Sequence, residues 1–107
     1  MKFVCQTAFL SDACQNVQRA VSTKTSIPAV EGILVKALGS EIILTGYDLE
    51  LGITTSIQGN IEESGSIIIN AKVLCDILRR LPDESVSFES DERYVAVITS
   101  GDARYEI

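Results

Sequence analysis

Asp48 and Glu50 stand two residues apart in the run LTGYDLE (residues 44–50), and a carboxylate pair of that kind could hold a metal ion or move a proton. The rest of the chain supports neither role. Acid–base and nucleophilic catalysis need a second group tuned against the first, such as a histidine beside a hydroxyl or thiol. The 107 residues include no histidine, and the three cysteines, Cys5, Cys14 and Cys75, show no C-x-x-C spacing. A zinc set and a disulfide framework are therefore disfavoured, and neither metal nor cofactor is expected. The cysteines read as small apolar groups, buried or half-buried, in a reducing cytoplasm. Asp48 reads as a turn organiser whose carboxylate bonds backbone amides. With no glycine-rich phosphate loop either, the chain is not expected to be an enzyme.

The side chains left with a chemical task are basic: Arg19, Lys24, Lys72, Arg79 and Arg80. They fall in two segments of helical periodicity, 8–24 and 71–81. Those segments hold the five cations against Asp12 and Asp76, a net +3, while the remainder holds four basic and thirteen acidic groups, a net −9, within an overall −6. An acidic total argues against a general nucleic-acid binder, but distribution matters more than the sum.

Positioning those cations is the work of an ordinary folded domain. The chain is 46% hydrophobic and 22% charged, enough for one modest core. No apolar run reaches the length of a membrane span, and the N-terminus lacks the long apolar stretch of a signal peptide. Residues 2–7 are compatible with a strand. Leu10, Ala13, Cys14, Val17, Ala20 and Val21 then form one apolar helical stripe, with Ser11 or Asp12 near the helix start. The opposite face carries Gln15, Gln18 and Arg19. Ile27-Pro28 forces extended backbone. Strands are predicted over 32–38 and 41–46 around a tight Gly39-Ser40 turn, and again over 49–57. Residues 59–65 punctuate the chain.

A second pass of the same pattern follows. Residues 66–69 read as a strand, and Asn70 caps a helix with Leu74, Ile77, Leu78 and Leu81 on its apolar side. Leu81-Pro82-Asp83 ends that helix. A hairpin is expected over 85–89 and 94–99 around 90–93, then a turn at 100–102 and a last strand from 103 to 107. The whole predicts an α+β domain in which a β-α-β-β-β unit occurs twice, over about 1–60 and 61–107. Both helices pack on one face of antiparallel sheet, about eight strands in all. The helix cations would then share one surface, with the acids on sheet and loops. The last strand ends at Ile107 without a cap, so the chain is expected to be one domain of a longer protein.

In order and spacing, MKF at the start, SIPAVEGILVKA (26–37), LTGYDLE (44–50), INAKVLCDILRRLP (69–82) and SGDARYEI (100–107) resemble the N-terminal domain of the bacterial DNA polymerase III β subunit, the sliding clamp family. The resemblance runs through essentially all of the chain. It implies a DNA-clamp-like fold and a homodimeric ring, three similar domains per subunit, whose helices line a hole around double-stranded DNA. Contacts would be sequence-independent, and weak for this domain alone. DNA polymerase III and the clamp loader would engage other domains, with no membrane involved.

The resemblance also assigns candidate residues. Lys24 matches a position where the family carries a DNA-contacting arginine. Lysine keeps the charge and loses the bidentate fork. Arg19 and Lys72 are further DNA-binding candidates. Arg79 and Arg80 point about 100° apart, so at most one faces the hole squarely. Either could serve its helix C-terminus instead. Tyr105 and Ile107 lie on the strand that, in the family, pairs with the third domain of the other subunit. An edge strand without its partner predicts self-association of the isolated domain. The rival expectation is a stand-alone α+β interaction module whose acidic outer sheet binds a basic protein. An enzyme domain contributing part of a site ranks last.

Overall fold

A computed structural model describes residues 1–19, 32–47 and 52–107. Their elements run β1 (Lys2–Gln6), α1 (Thr7–Gln18), β2 (Gly32–Leu38), β3 (Glu41–Tyr47), β4 (Gly52–Gln58), β5 (Asn60–Glu63), β6 (Gly65–Asn70), α2 (Ala71–Arg79), β7 (Ser85–Ser90), β8 (Ala96–Ser100) and β9 (Ala103–Glu106). Lys24, Asp48, Glu50, Ile27-Pro28 and the distal end of the expected first helix lie outside the described residues.

The α+β class holds, with antiparallel pairing throughout, and the strands divide between two sheets. One has the order β4-β3-β2-β6 and the other β5-β1-β7-β8-β9. Each helix follows its strand directly, and that strand leaves its own meander to pair with the other one: β1 joins β7, and β6 joins β2. Neither half can complete its sheet alone.

Alternation sets the inner faces. Ile33, Val35 and Ala37 of β2 and Ile42 and Leu44 of β3 are buried, while Leu38 and Lys36 face outward. Their hairpin closes at Gly39-Ser40, where Gly39 takes the positive φ of 66° that a two-residue loop demands. Side chains from both sheets and both helices merge into one core.

Two local expectations need correction, and both fail because the deciding partner is distant in sequence. Helix α1 starts at Thr7, a full turn before Ser11 and Asp12, and its N-cap residue Gln6 makes no side-chain cap bond. The carbonyl of Glu84 takes that part instead, accepting from the Thr7 N–H at 2.8 Å. Residues 60–63, expected as a break, form β5 because β1 offers them an edge. Gly59 leads into that strand where a Cβ would stand 2.9 Å from the Val4 carbonyl oxygen, too close for any other residue without movement.

Tyr94 lies before β8, not within it, at φ 60°. Asp91 holds this loop: its carboxylate accepts from the Arg93 N–H at 2.8 Å and the Val95 N–H at 3.2 Å. These amides, Val95 first, keep the Asp91 carboxyl below its ordinary range. The loop bonds are therefore present above the ordinary aspartate pKa and are lost only as pH falls through the lower, folded value. In an NMR titration, the Arg93 and Val95 amides should shift at a pH below the usual aspartate midpoint. A midpoint at the ordinary value would show that these bonds do not hold the loop.

Ser100 ties the link after α2 to β8. Its hydroxyl is 2% exposed as a residue, donates to the Ser85 carbonyl at 3.1 Å and accepts from the Asp83 N–H at 3.2 Å. Ser100→Ala leaves both backbone groups without that partner and is expected to cost about 1–3 kcal/mol. Urea unfolding with an unchanged m-value should register it. An unchanged midpoint would mean water replaces the hydroxyl without loss.

Candidate nucleic-acid interface

Helices α1 and α2 pack against one another, and α1 also rests on β4 and β3. The buried stripe of α1 is Thr7, Leu10, Ala13, Cys14 and Val17. That of α2 is Ala71, Leu74, Cys75, Ile77 and Leu78, so Leu81 is only half-buried and Cys75 takes a place in the seam. Asn70 caps α2 as its residue type demands, accepting from the Val73 N–H at 3.1 Å.

With those stripes buried, the remaining faces of both helices meet solvent. Arg19 occupies the C-cap of α1 and Arg80 the C-cap of α2, both exposed. Lys72 is exposed in the first turn of α2. A cation there opposes the helix dipole, so it adds nothing to helix stability. Arg19 and Arg80 sit where the dipole favours them, so their position has a local explanation as well. Among the described residues, Arg19, Lys72 and Arg80 make no ion pair.

Arg79 differs. Its Nη1 lies 3.6 Å from Oδ1 of Asp76, and its charge lies close enough to favour the thiolate forms of Cys14 and Cys75. Both arginines are exposed, and they differ in that Arg79 has an acid partner on its own helix and Arg80 does not, among the described residues. Sequence spacing gives the angle between the two but not which one finds an acid partner.

The exposed face of α1 carries amides and no carboxylate beyond Asp12. Gln15 donates to Ser11 at 3.2 Å, and Asn16 reaches Thr55 of β4 at 3.5 Å. Lys2 is a cation of another kind. It bridges Glu62 and Glu89 on the sheet at 3.4 and 3.5 Å, and those two carboxylates raise its pKa. Among the described residues, three cations of the helix pair have no acid partner, as do Lys36, Arg93 and Arg104 outside it, while Lys2 is neutralised in place.

Tyr105 and Ile107 turn inward. Both are half-buried against the core, and Ile107 exchanges backbone hydrogen bonds with Ala96 at 2.8 and 3.1 Å. What β9 presents outward is Arg104, Glu106 and the open backbone edge of a terminal strand.

A family described as DNA polymerase III beta subunit, N-terminal domain, matches residues 1–107. The chain belongs to this family. It is 34% identical to the beta sliding clamp of Synechocystis and 33% identical to that of Bacillus subtilis, in both cases over the whole chain and 29% and 30% of the relative. A crystal structure of a putative DNA polymerase III beta subunit from Eubacterium rectale superposes with a TM-score of 0.95 at 41% identity, covering 100% of this chain and 29% of that one. The chain therefore spans less than a third of these clamp-family relatives. Among the described residues, no helix is long and apolar enough to cross a membrane.

Proposed function

We propose that this chain is the first of three similar domains of a DNA sliding clamp, a non-enzymatic processivity factor that encircles duplex DNA in the cytoplasm and tethers the replicative polymerase. Two subunits close the ring, α1 and α2 line its hole, and β9 pairs edge to edge with the partner subunit. DNA polymerase III and the clamp loader engage other domains. The halves 1–60 and 61–107 are copies of one unit, a reading supported by the like orders β1-β7-β8-β9 and β6-β2-β3-β4, to which β5 is added at one edge.

The observation that carries this function is the pair of helices offering Arg19, Lys72 and Arg80 on solvent-facing sides while the acids cluster on strands and loops. A clamp has to slide, so its contacts must be few, phosphate-directed and blind to sequence. A handful of cations on rigid helices meets that need, and enclosure rather than affinity holds the ring on DNA. Lys24 is a further phosphate contact under this reading.

The test uses the complete protein, placed by its loader on nicked circular DNA and washed in high salt. Retention on circles with release after linearisation is the expected result. Loss during the salt wash would identify ordinary electrostatic binding and favour an interaction module with an acidic sheet.

A further inference from the structure

Helix α2 and its C-cap carry one carboxylate, Asp76, and three cations, Lys72, Arg79 and Arg80. Residues three or four apart are neighbours on a helix surface. Asp76 stands four after Lys72, three before Arg79 and four before Arg80, so the acid sits at the centre of the cluster. Its Oδ1 lies 3.6 Å from Nη1 of Arg79, and the two side chains are 44% and 54% exposed. Helix α1 differs. Its exposed carboxylate, Asp12, has Ala8, Phe9, Gln15 and Asn16 at those spacings, and no cation.

Helix stability does not account for an aspartate at this point. Aspartate is a poor helix former, and the last turn of Ala71–Arg79 is where the helix dipole disfavours negative charge. An exposed ion pair within one helix recovers little of that. Packing does not account for it either, because the buried stripe of α2 is Ala71, Leu74, Cys75, Ile77 and Leu78. What the carboxylate changes is the charge that α2 offers outward. Three cations less one acid give +2, and a phosphate approaching any of the three meets the acid beside it.

We propose that Asp76 limits the grip of α2 on duplex DNA, an inference that rests on the clamp reading above. It withholds Arg79 from phosphate and weakens the pull of Lys72 and Arg80. A ring held by enclosure has no need of tight contact, and each phosphate contact must break before the ring moves along the duplex. A fixed carboxylate among the cations keeps those contacts few without removing the cations themselves. Asp76 is therefore a positioning residue that acts through Arg79. Asp12 has no such cation to hold, so neutralising it adds the same unit of charge and releases no arginine.

The experiment titrates the complete protein carrying Asp76→Asn with a fluorescent DNA duplex over a series of salt concentrations. Affinity at low salt should rise about three- to tenfold, and the slope of log affinity against log salt should steepen by roughly one, the added contact of Arg79. Asp12→Asn should leave the slope unchanged, and joining Arg79→Gln to Asp76→Asn should return it to the parent's value. Rings tracked singly on DNA should diffuse more slowly with Asp76→Asn. Asp76→Ala, which favours the helix more, gives the same test if asparagine disturbs the fold. The parent's affinity and slope in a folded Asp76 variant would overturn the proposal. So would an equal steepening with Asp12→Asn, which would make the effect one of overall charge. The clamp reading is tested separately by Arg80→Glu. Weaker binding there beside an unchanged Asp76 variant sinks the proposal alone, and no change in either sinks both.

Discussion

Phe88→Ala is expected to destabilise the domain by about 3–5 kcal/mol, among the largest losses a single truncation can cause. Phe88 of β7 and Phe3 of β1 are 1% and 0% exposed, and their rings stack with centroids 5.0 Å apart and planes 6° from parallel. They are directly opposed in the register of the two strands. Truncation removes the transfer free energy of a whole aromatic ring and leaves a void that fully buried neighbours cannot easily fill. It also removes a stacking contact of about 0.5–1.5 kcal/mol beyond the area effect. Against a total stability of roughly 5–15 kcal/mol, the variant should be marginal at room temperature.

The position of the pair adds a second consequence. The β1–β7 pairing is how the first half of the chain completes the second half's sheet, so the void opens at the joint between halves. The β2–β6 pairing has no such stack, and its junction should be less affected. Hydrogen exchange should therefore accelerate most in β1 and β7, with urea unfolding giving the total. Phe88→Leu, which fills part of the void, should lose clearly less. A loss under about 1 kcal/mol for Phe88→Ala would mean that the site collapses around the gap and that the stack is not central to stability.

What the sequence discloses and what it conceals follow one physical boundary. The Gly39-Ser40 hairpin, the Asn70 cap and the apolar stripes were legible because each depends on residues a few positions apart. The start of α1, the strand at 60–63 and the division into two sheets were not. Each depends on a partner distant in sequence: the Glu84 carbonyl for α1, the edge of β1 for β5, and the exchange of β1 and β6 between meanders for the sheets. At the candidate interface, charge pattern alone separates the basic helices from the acidic remainder. The difference between Arg79 and Arg80 emerges only once Asp76 is placed 3.6 Å from one of them. Lys24, Asp48 and Glu50 lie outside the described residues.

That difference between neighbouring arginines yields the prediction with the largest functional effect. In the complete protein, reversing Arg19, Lys72 and Arg80 together to glutamate should weaken binding to duplex DNA at least about tenfold at low salt. The salt slope should fall by roughly one for each phosphate contact removed. All three side chains are exposed and make no ion pair among the described residues, so folding should change little. Arg79→Glu is the informative control. It removes the ion pair with Asp76 and puts two carboxylates together, so it should lower Tm slightly. It should move DNA affinity less than Arg80→Glu does, because Asp76 already offsets the Arg79 charge. The clamp reading needs this crossing of effects, because it assigns phosphate contact to the helix cations without an acid partner and leaves Arg79 to Asp76. If Arg79→Glu weakened DNA binding more than Arg80→Glu with the fold intact, the guanidinium paired with Asp76 would be the phosphate contact. If the triple variant bound DNA as the parent does, the helix pair would not line the hole, and the proposed placement of DNA would fall with it.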